Sequence, residues 1–191
     1  MASGMLLAAE EVFAESGLAK AHVEDIARRA GVSVGTLYNY YKDRDGLLAA
    51  VVSERIGELI QELDAAVART LSAPIRSAML ELGRAYLRFV IQRRTFMRIL
   101  VEGELLQLKE SYPTSAALKE QCWKGLIDLF GEVMGRGVAN GELPGATAEV
   151  DVWLFLGLLR GIIMRDLRGD TRCQESDAER AVKVFFDGAL A

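Results

Sequence analysis

Apolar residues along this chain recur at spacings of three and four, and no stretch sustains the period-two alternation of a half-buried strand. Leu6, Ala9 and Phe13 form a stripe on a first helix from about Met5 to Ser16. Two short helices follow, broken at Ala30-Gly31-Val32-Ser33. Ile26 and Ala27 mark the inner face of one, and Leu37 that of the other. Gly31 suits the left-handed position that ends a helix, and Ser33 the N-cap that begins the next. Asp43 can then cap a long helix whose stripe includes Leu48, Val52, Leu59, Leu63 and Val67. Pro74 suits the first turn of another, with Ile75, Met79, Leu82, Tyr86 and Phe89 on one face. The pattern predicts a shorter helix from about Phe96 to Leu108 and a longer one over 115–139. Thr147 can cap the next, which reaches Leu167. Ser176-Asp177-Ala178-Glu179 reads as a capping box opening a last helix over 177–190. The fold class is therefore all-α with about nine helices. A three-helix head over 1–46 is joined by the long helix to a helical body over 47–191.

Two helices across a short Gly-containing turn form a helix-turn-helix, whose second helix enters the DNA major groove. What that second helix offers suits the task. Val34, Gly35, Tyr38 and Asn39 would face base edges or the adjacent sugar-phosphate. Thr36, Tyr40, Lys42 and Arg44 would hold phosphates, and His22, at the start of the preceding helix, would favour a phosphate when protonated. Asn39 is the best candidate for direct readout, because an amide can bind N6 and N7 of adenine together. Gly35, lacking a Cβ, lets the backbone approach closely.

Gly31-Val32-Ser33-Val34-Gly35-Thr36-Leu37-Tyr38-Asn39-Tyr40-Tyr41 resembles the recognition segment of the TetR family of bacterial transcriptional regulators. So does the run-up from Leu6 through Ala8-Ala9, Phe13-Ala14-Glu15 and Gly17 to Val23-Glu24-Asp25-Ile26-Ala27. The likeness is close over roughly the first fifty residues; beyond them it is one of length and helical character. It implies a homodimer on a palindromic operator and an effector-binding, dimerising C-terminal domain. It also implies repression released by a small-molecule ligand. The chain departs from the family's pattern at Ala21-His22, where Thr or Ser is usual, and in opening on the uncharged Met1-Ala2-Ser3-Gly4-Met5 where a basic arm is common.

Charge refines this expectation. Lys20, Arg28, Arg29, Lys42 and Arg44 face Glu10, Glu11, Glu15, Glu24, Asp25, Asp43 and Asp45, so the head is net acidic. Positive charge is concentrated between residues 28 and 44. Phosphate neutralisation supplies much of the affinity for DNA, so fewer phosphate contacts are expected than in a relative with a basic arm. This acidity sustains a rival reading, a helical small-molecule-binding protein with weak or lost DNA binding.

Composition narrows the other classes. Hydrophobic residues at 51% and charged ones at 26% fit a soluble globular chain with an ample core. Cys122, Cys173 and the single histidine have no metal-type spacing and suggest no disulfide framework. Neither a leader nor a bilayer-spanning run is evident, and a cytoplasmic protein without membrane attachment is expected. No nucleophile–base pairing or phosphate-binding glycine loop points to an enzyme, and no cofactor is expected.

Three features of the body stand out. Glu104 and Gln107 project onto the same face as Phe96, Met97 and Leu100. A carboxylate there is costly unless paired, so it either forms an internal salt bridge or lines an effector site with Phe96, Leu100 and Gln107. On the following helix Trp123, Ile127, Phe130 and Met134 form a stripe that reads either as plain core or as the opposite wall. Its four glycines, at 125, 131, 135 and 137, each cost about 1 kcal/mol relative to Ala. They either admit close helix contacts or leave room for a ligand. Finally, Val152 to Met164 is apolar on nearly all sides and must be covered all round. One side would face the chain's own core and the other a second chain. Trp153, Leu156, Gly157, Arg160, Gly161 and Met164 are the interface candidates, joined by Val182, Phe185 and Phe186 of the last helix.

Overall fold

The computed structural model describes residues 2–105, 113–143 and 148–188. Among them are nine helices and no strand: α1 (Ala2–Ser16), α2 (Val23–Ala30), α3 (Val34–Tyr40), α4 (Arg44–Arg69), α5 (Ile75–Gln92), α6 (Arg94–Leu105), α7 (Pro113–Ala139), α8 (Ala148–Leu167) and α9 (Asp177–Asp187). No described helix is long and apolar enough to cross a membrane.

The helices gather into two compact units, cut elsewhere than at the sequence boundary of 46/47. The first comprises Met1–Gly57 and Arg93–Cys122. Its core holds Phe13, Ile26, Leu37 and Leu47, all but fully buried. Here α6 packs against α1, and Phe96, Met97 and Ile99 are buried along it. The Thr114 N–H at the start of α7 donates to Asp45 Oδ2 in the first turn of α4 at 3.1 Å. Glu10 of α1 and Arg55 of α4 form a buried ion pair, Nε to Oε2 at 2.8 Å. Such pairs need this degree of hydrogen-bonded contact to offset their desolvation.

The second unit comprises Glu58–Gln92 and Trp123–Ala191. Leu63, Met79, Leu82, Phe89, Phe130 and Phe155 fill its core. Phe130, Phe155 and Phe185 run in sequence, ring centroids 5.8 and 5.4 Å apart. On α5, Arg76, Arg84 and Arg88 pair with Asp187, Glu179 and Glu175, so ion pairs tie α5 to α9 and its approach from both ends.

The C-terminal end of α7 fastens the α4–α5 turn. Arg136 Nη1 donates to the Leu71 carbonyl at 3.0 Å, and Glu142 accepts from the Ile75 N–H at 2.8 Å. The α7 glycines divide accordingly. A Cβ on Gly125 would lie 3.0 Å from Ile60 Cδ1 and one on Gly137 only 2.6 Å from Ile75 Cγ1, whereas at Gly135 nothing lies within 4 Å.

Local signals fared unevenly. Asp43 caps α4, accepting from the Gly46 N–H at 2.8 Å. The capping box at Ser176 does not form. Ser176 adopts helical angles and its side chain caps nothing, while Glu179 reaches across to Arg84 at 2.6 Å. Cys173 is buried, and burial with nearby Asp177 pushes its thiol up to about 11. Cys122 is half-buried, and its thiol is likewise pushed up to about 11 by burial. Thr147 lies outside the described residues.

Candidate functional site

The turn between α2 and α3 is built by local bonds. Gly31 takes φ 68° and ψ 30°, the left-handed region. Its N–H donates to Arg28 O at 3.2 Å and the Val32 N–H to Ala27 O at 3.0 Å, the pair of bonds that closes a Schellman motif. Ser33 is extended, and its Oγ accepts from the Thr36 N–H at 3.0 Å. The chain therefore leaves α2 and enters α3 at a fixed angle, with Leu37 buried beneath.

Above Leu37 the rest of α3 turns outward. Tyr38 and Tyr40 are 46% and 53% exposed, large values for aromatic rings. Gly35, Asn39 and Lys42 are exposed, and Val34 and Thr36 half-buried. Thr36 Oγ1 shares a hydrogen bond with Ser33 Oγ at 2.8 Å. His22 is exposed at the N-cap of α2, where its side chain makes no capping bond. Nothing but Ser33 Oγ, at 3.8 Å, lies near the position of a Cβ on Gly35.

The positive charges of the head are largely engaged within it. Arg28 pairs with Asp25 at 2.6 Å and Arg29 with Glu15 at 2.7 Å. The second pair lowers the Glu15 pKa through the Arg29 hydrogen bond and raises that of Arg29. Arg44 is half-buried, and its guanidinium donates to the Leu18 carbonyl in the turn after α1. The role of Arg44 is thus structural in this arrangement: it joins the start of α4 to the end of α1. Sequence reasoning missed this, because the carbonyl partner lies 26 positions away.

The effector candidates separate between the two units. Phe96 is buried and Leu100 half-buried on α6, in the first. The Glu104 side chain and the whole of Gln107 lie outside the described residues. In the second unit Phe130 and Met134 are fully buried and Trp123 and Ile127 half-buried. Trp123 stacks on Trp153 with centroids 6.2 Å apart, and the Arg160 guanidinium stands 5.5 Å from the Trp123 ring.

On α8 the two sides are now distinct. Val152, Phe155, Leu156, Leu159 and Ile163 are buried in the unit's own core. Val150, Trp153 and Leu154 are more than half exposed, and Gly157, Arg160 and Gly161 continue that face. Leu156 and Val182, expected at an interface between chains, instead turn into the core of their own chain. Met164, Phe185 and Phe186 are half-buried. An all-round apolar helix hides which side is internal, so the sequence alone could not separate Leu156 from Gly157.

Comparison with known proteins fits this geometry. Residues 5–51 match the family model described as bacterial regulatory proteins, tetR family. The chain is 26% identical over 161 residues to a fatty acid metabolism regulator protein of Bacillus subtilis, spanning 82% of this chain and 76% of that one. It is 25% identical over 158 residues to the transcriptional activator FasR of Mycolicibacterium smegmatis, spanning 78% and 70%. Its fold is similar to that of the transcriptional regulator FadR from Bacillus subtilis in complex with stearoyl-CoA, with TM-score 0.83 and 18% identity over 98% of this chain and 99% of that one.

Proposed function

This chain belongs to the TetR family of bacterial transcriptional regulators, and from that premise we propose that it is a homodimeric repressor released by a long-chain acyl thioester. It is a DNA-binding regulator; the direction of control, the effector and the residues involved are the proposal. The observation that carries it is the α2–α3 turn, which buries Leu37 and holds Tyr38, Asn39 and Tyr40 out to solvent.

Asn39 reads a base edge, with Val34, Gly35 and Tyr38 beside it. The open space at Gly35 supports close approach to DNA, since no neighbour within the chain demands a glycine there. Thr36, Tyr40, Lys42 and His22 hold phosphates. Arg44 contributes through the Leu18 carbonyl, by fixing where α4 begins. With Arg28 and Arg29 engaged by acids, the salt dependence of binding is shallow.

The acyl thioester is inferred from the fatty acid metabolism regulator and from FadR with stearoyl-CoA. An alkyl chain needs apolar walls, and the α7 residues Trp123, Ile127, Phe130 and Met134 supply that chemistry. The exposed face of α8, centred on Trp153, Gly157, Arg160 and Gly161, is the dimer contact, because an apolar face of this kind needs a cover. A two-fold pair of heads would engage half-sites about 34–36 Å apart or a multiple of that.

A gel shift on the chain's own upstream DNA tests the proposal. Retardation that survives excess unrelated DNA and is reversed by micromolar stearoyl-CoA, but not by free CoA, is the expected result. Retardation equal on every DNA, or unaffected by the thioester, would overturn it.

A further inference from the structure

We propose that Asn140 is a site of spontaneous deamidation, and that its isoaspartyl product detaches Glu142 from the start of α5. Three pairs in this chain place an asparagine or aspartate before glycine: Asp45-Gly46, Asn140-Gly141 and Asp187-Gly188. Such pairs are prone to ring closure, because glycine has no side chain to keep its amide nitrogen from the preceding side-chain carbonyl. The structure restrains two of them. Asp45 Oδ2 accepts from the Thr114 N–H, and the Gly46 N–H donates to Asp43 Oδ1. Both carboxylate oxygens of Asp187 are held by Arg76 at 2.6 Å. These two are also carboxylates, poorer electrophiles than a neutral amide.

Asn140 differs on each count. It and Gly141 are exposed just past the end of α7, and among the described residues no hydrogen bond holds the Asn140 side chain. Gly141 has φ 74° and open space where a Cβ would stand. A single bond engages its N–H, to Val138 O at 3.0 Å, at a solvent-facing helix end of the kind that opens locally at small cost. Once that bond opens, the Gly141 nitrogen gives its proton to water or hydroxide and attacks Cγ of Asn140. The N–Cγ bond forms, the Cγ–Nδ2 bond breaks, and ammonia leaves with a proton from solvent. Water then opens the five-membered imide. Addition at the Cγ carbonyl gives aspartate. Addition at the main-chain carbonyl gives isoaspartate, in which the backbone runs through Cγ.

The added backbone carbon falls where the register is tight. The Glu142 and Leu143 N–H groups both donate to Gly137 O, at 2.8 and 3.2 Å. Glu142 Oε2 in turn accepts from the Ile75 N–H at 2.8 Å. Lengthening the chain between 140 and 141 moves Glu142 out of that register, so the Ile75 N–H loses its acceptor. The new carboxylate also lies at the negative end of the α7 dipole, where a charge of that sign is unfavourable.

The full-length protein, aged in warm, mildly alkaline buffer, tests this by peptide mapping with isoaspartyl methyltransferase labelling. Asn140 converts at least about tenfold faster than Asn39, whose neighbour Tyr40 carries a side chain that shields its nitrogen. In the modified fraction, separated by ion exchange, the Ile75 amide exchanges with solvent at least about fivefold faster, while amides of 82–86 stay within about twofold. Asn140→Ser, aged alike, shows neither change. An Asn140 that converts readily in the urea-unfolded chain, yet no faster than Asn39 in the folded protein, would overturn the site. A modified fraction with unchanged exchange at Ile75 would overturn the link to α5.

Discussion

Gly137 lies so close to Ile75 that a Cβ on it would stand 2.6 Å from Ile75 Cγ1. Real Cβ atoms do not tolerate that distance, so the end of α7 meets the start of α5 only because residue 137 has no side chain. Gly137→Ala is expected to destabilise the protein by about 1–3 kcal/mol, the usual cost of overpacking. Combining it with Ile75→Ala should recover part of the loss, since the obstructing branch is gone. Urea unfolding of both variants and of Ile75→Ala alone measures the coupling. Additive effects would show that the contact is not the cause.

Glu10 and Arg55 give a second stability prediction. Glu10→Ala removes the carboxylate that Arg55 meets in the interior and should cost about 3–5 kcal/mol. Replacing both, as Glu10→Leu with Arg55→Met, should cost far less than Glu10→Ala alone. Chemical denaturation of the three proteins checks this ordering.

The ion pairs on α5 predict a pH dependence with a definite sign. Hydrogen bonds from Arg88 and Arg76 lower the pKa of Glu175 and of Asp187 below their ordinary values of 4.5 and 3.8. Depressed carboxyl groups stabilise the folded state fully above those ordinary values, and the contribution is lost as pH falls through the lowered ones. Protection of α9 amides should therefore be flat from about pH 8 to pH 5 on this account and fall below about pH 4. Arg76→Gln with Arg88→Gln should weaken α9 already at pH 7 and remove that contribution to the acid-side fall.

Gly157→Asp tests the dimer face. The residue is exposed and a Cβ on it meets nothing in its own chain, so the single chain accommodates the change. A charge in a close contact between chains would not be accommodated. Sedimentation should give a dimer for the wild type and a monomer with unchanged helical content for the variant. A dimer in both would place the contact elsewhere.

What the sequence revealed follows the range of the interactions. The Gly31 and Ser33 caps close within five residues, so the recognition turn could be read directly. The exposure of Tyr38, Asn39 and Tyr40 follows from the single buried position at Leu37. Arg44 misled because its alternatives, a phosphate or the Leu18 carbonyl, look alike until the chain folds back. Ser176 misled differently: its capping box is a local pattern, but Glu179 pairs with Arg84, 95 positions away. Helix α8 shows the remaining limit. Its apolar character was plain, yet only the packing of Phe155 and Leu159 inward distinguishes Leu156 from the exposed Gly157.

We propose that α3 reads DNA sequence through Asn39. An anisotropy titration of wild type and Asn39→Ala, on the operator found in the chain's own upstream DNA and on a scrambled duplex at one salt concentration, tests this. Asn39→Ala is expected to lose about 1–3 kcal/mol on the operator and nothing on the scrambled duplex. Equal binding of wild type to both duplexes, or an Asn39→Ala protein that keeps the full preference, would contradict it.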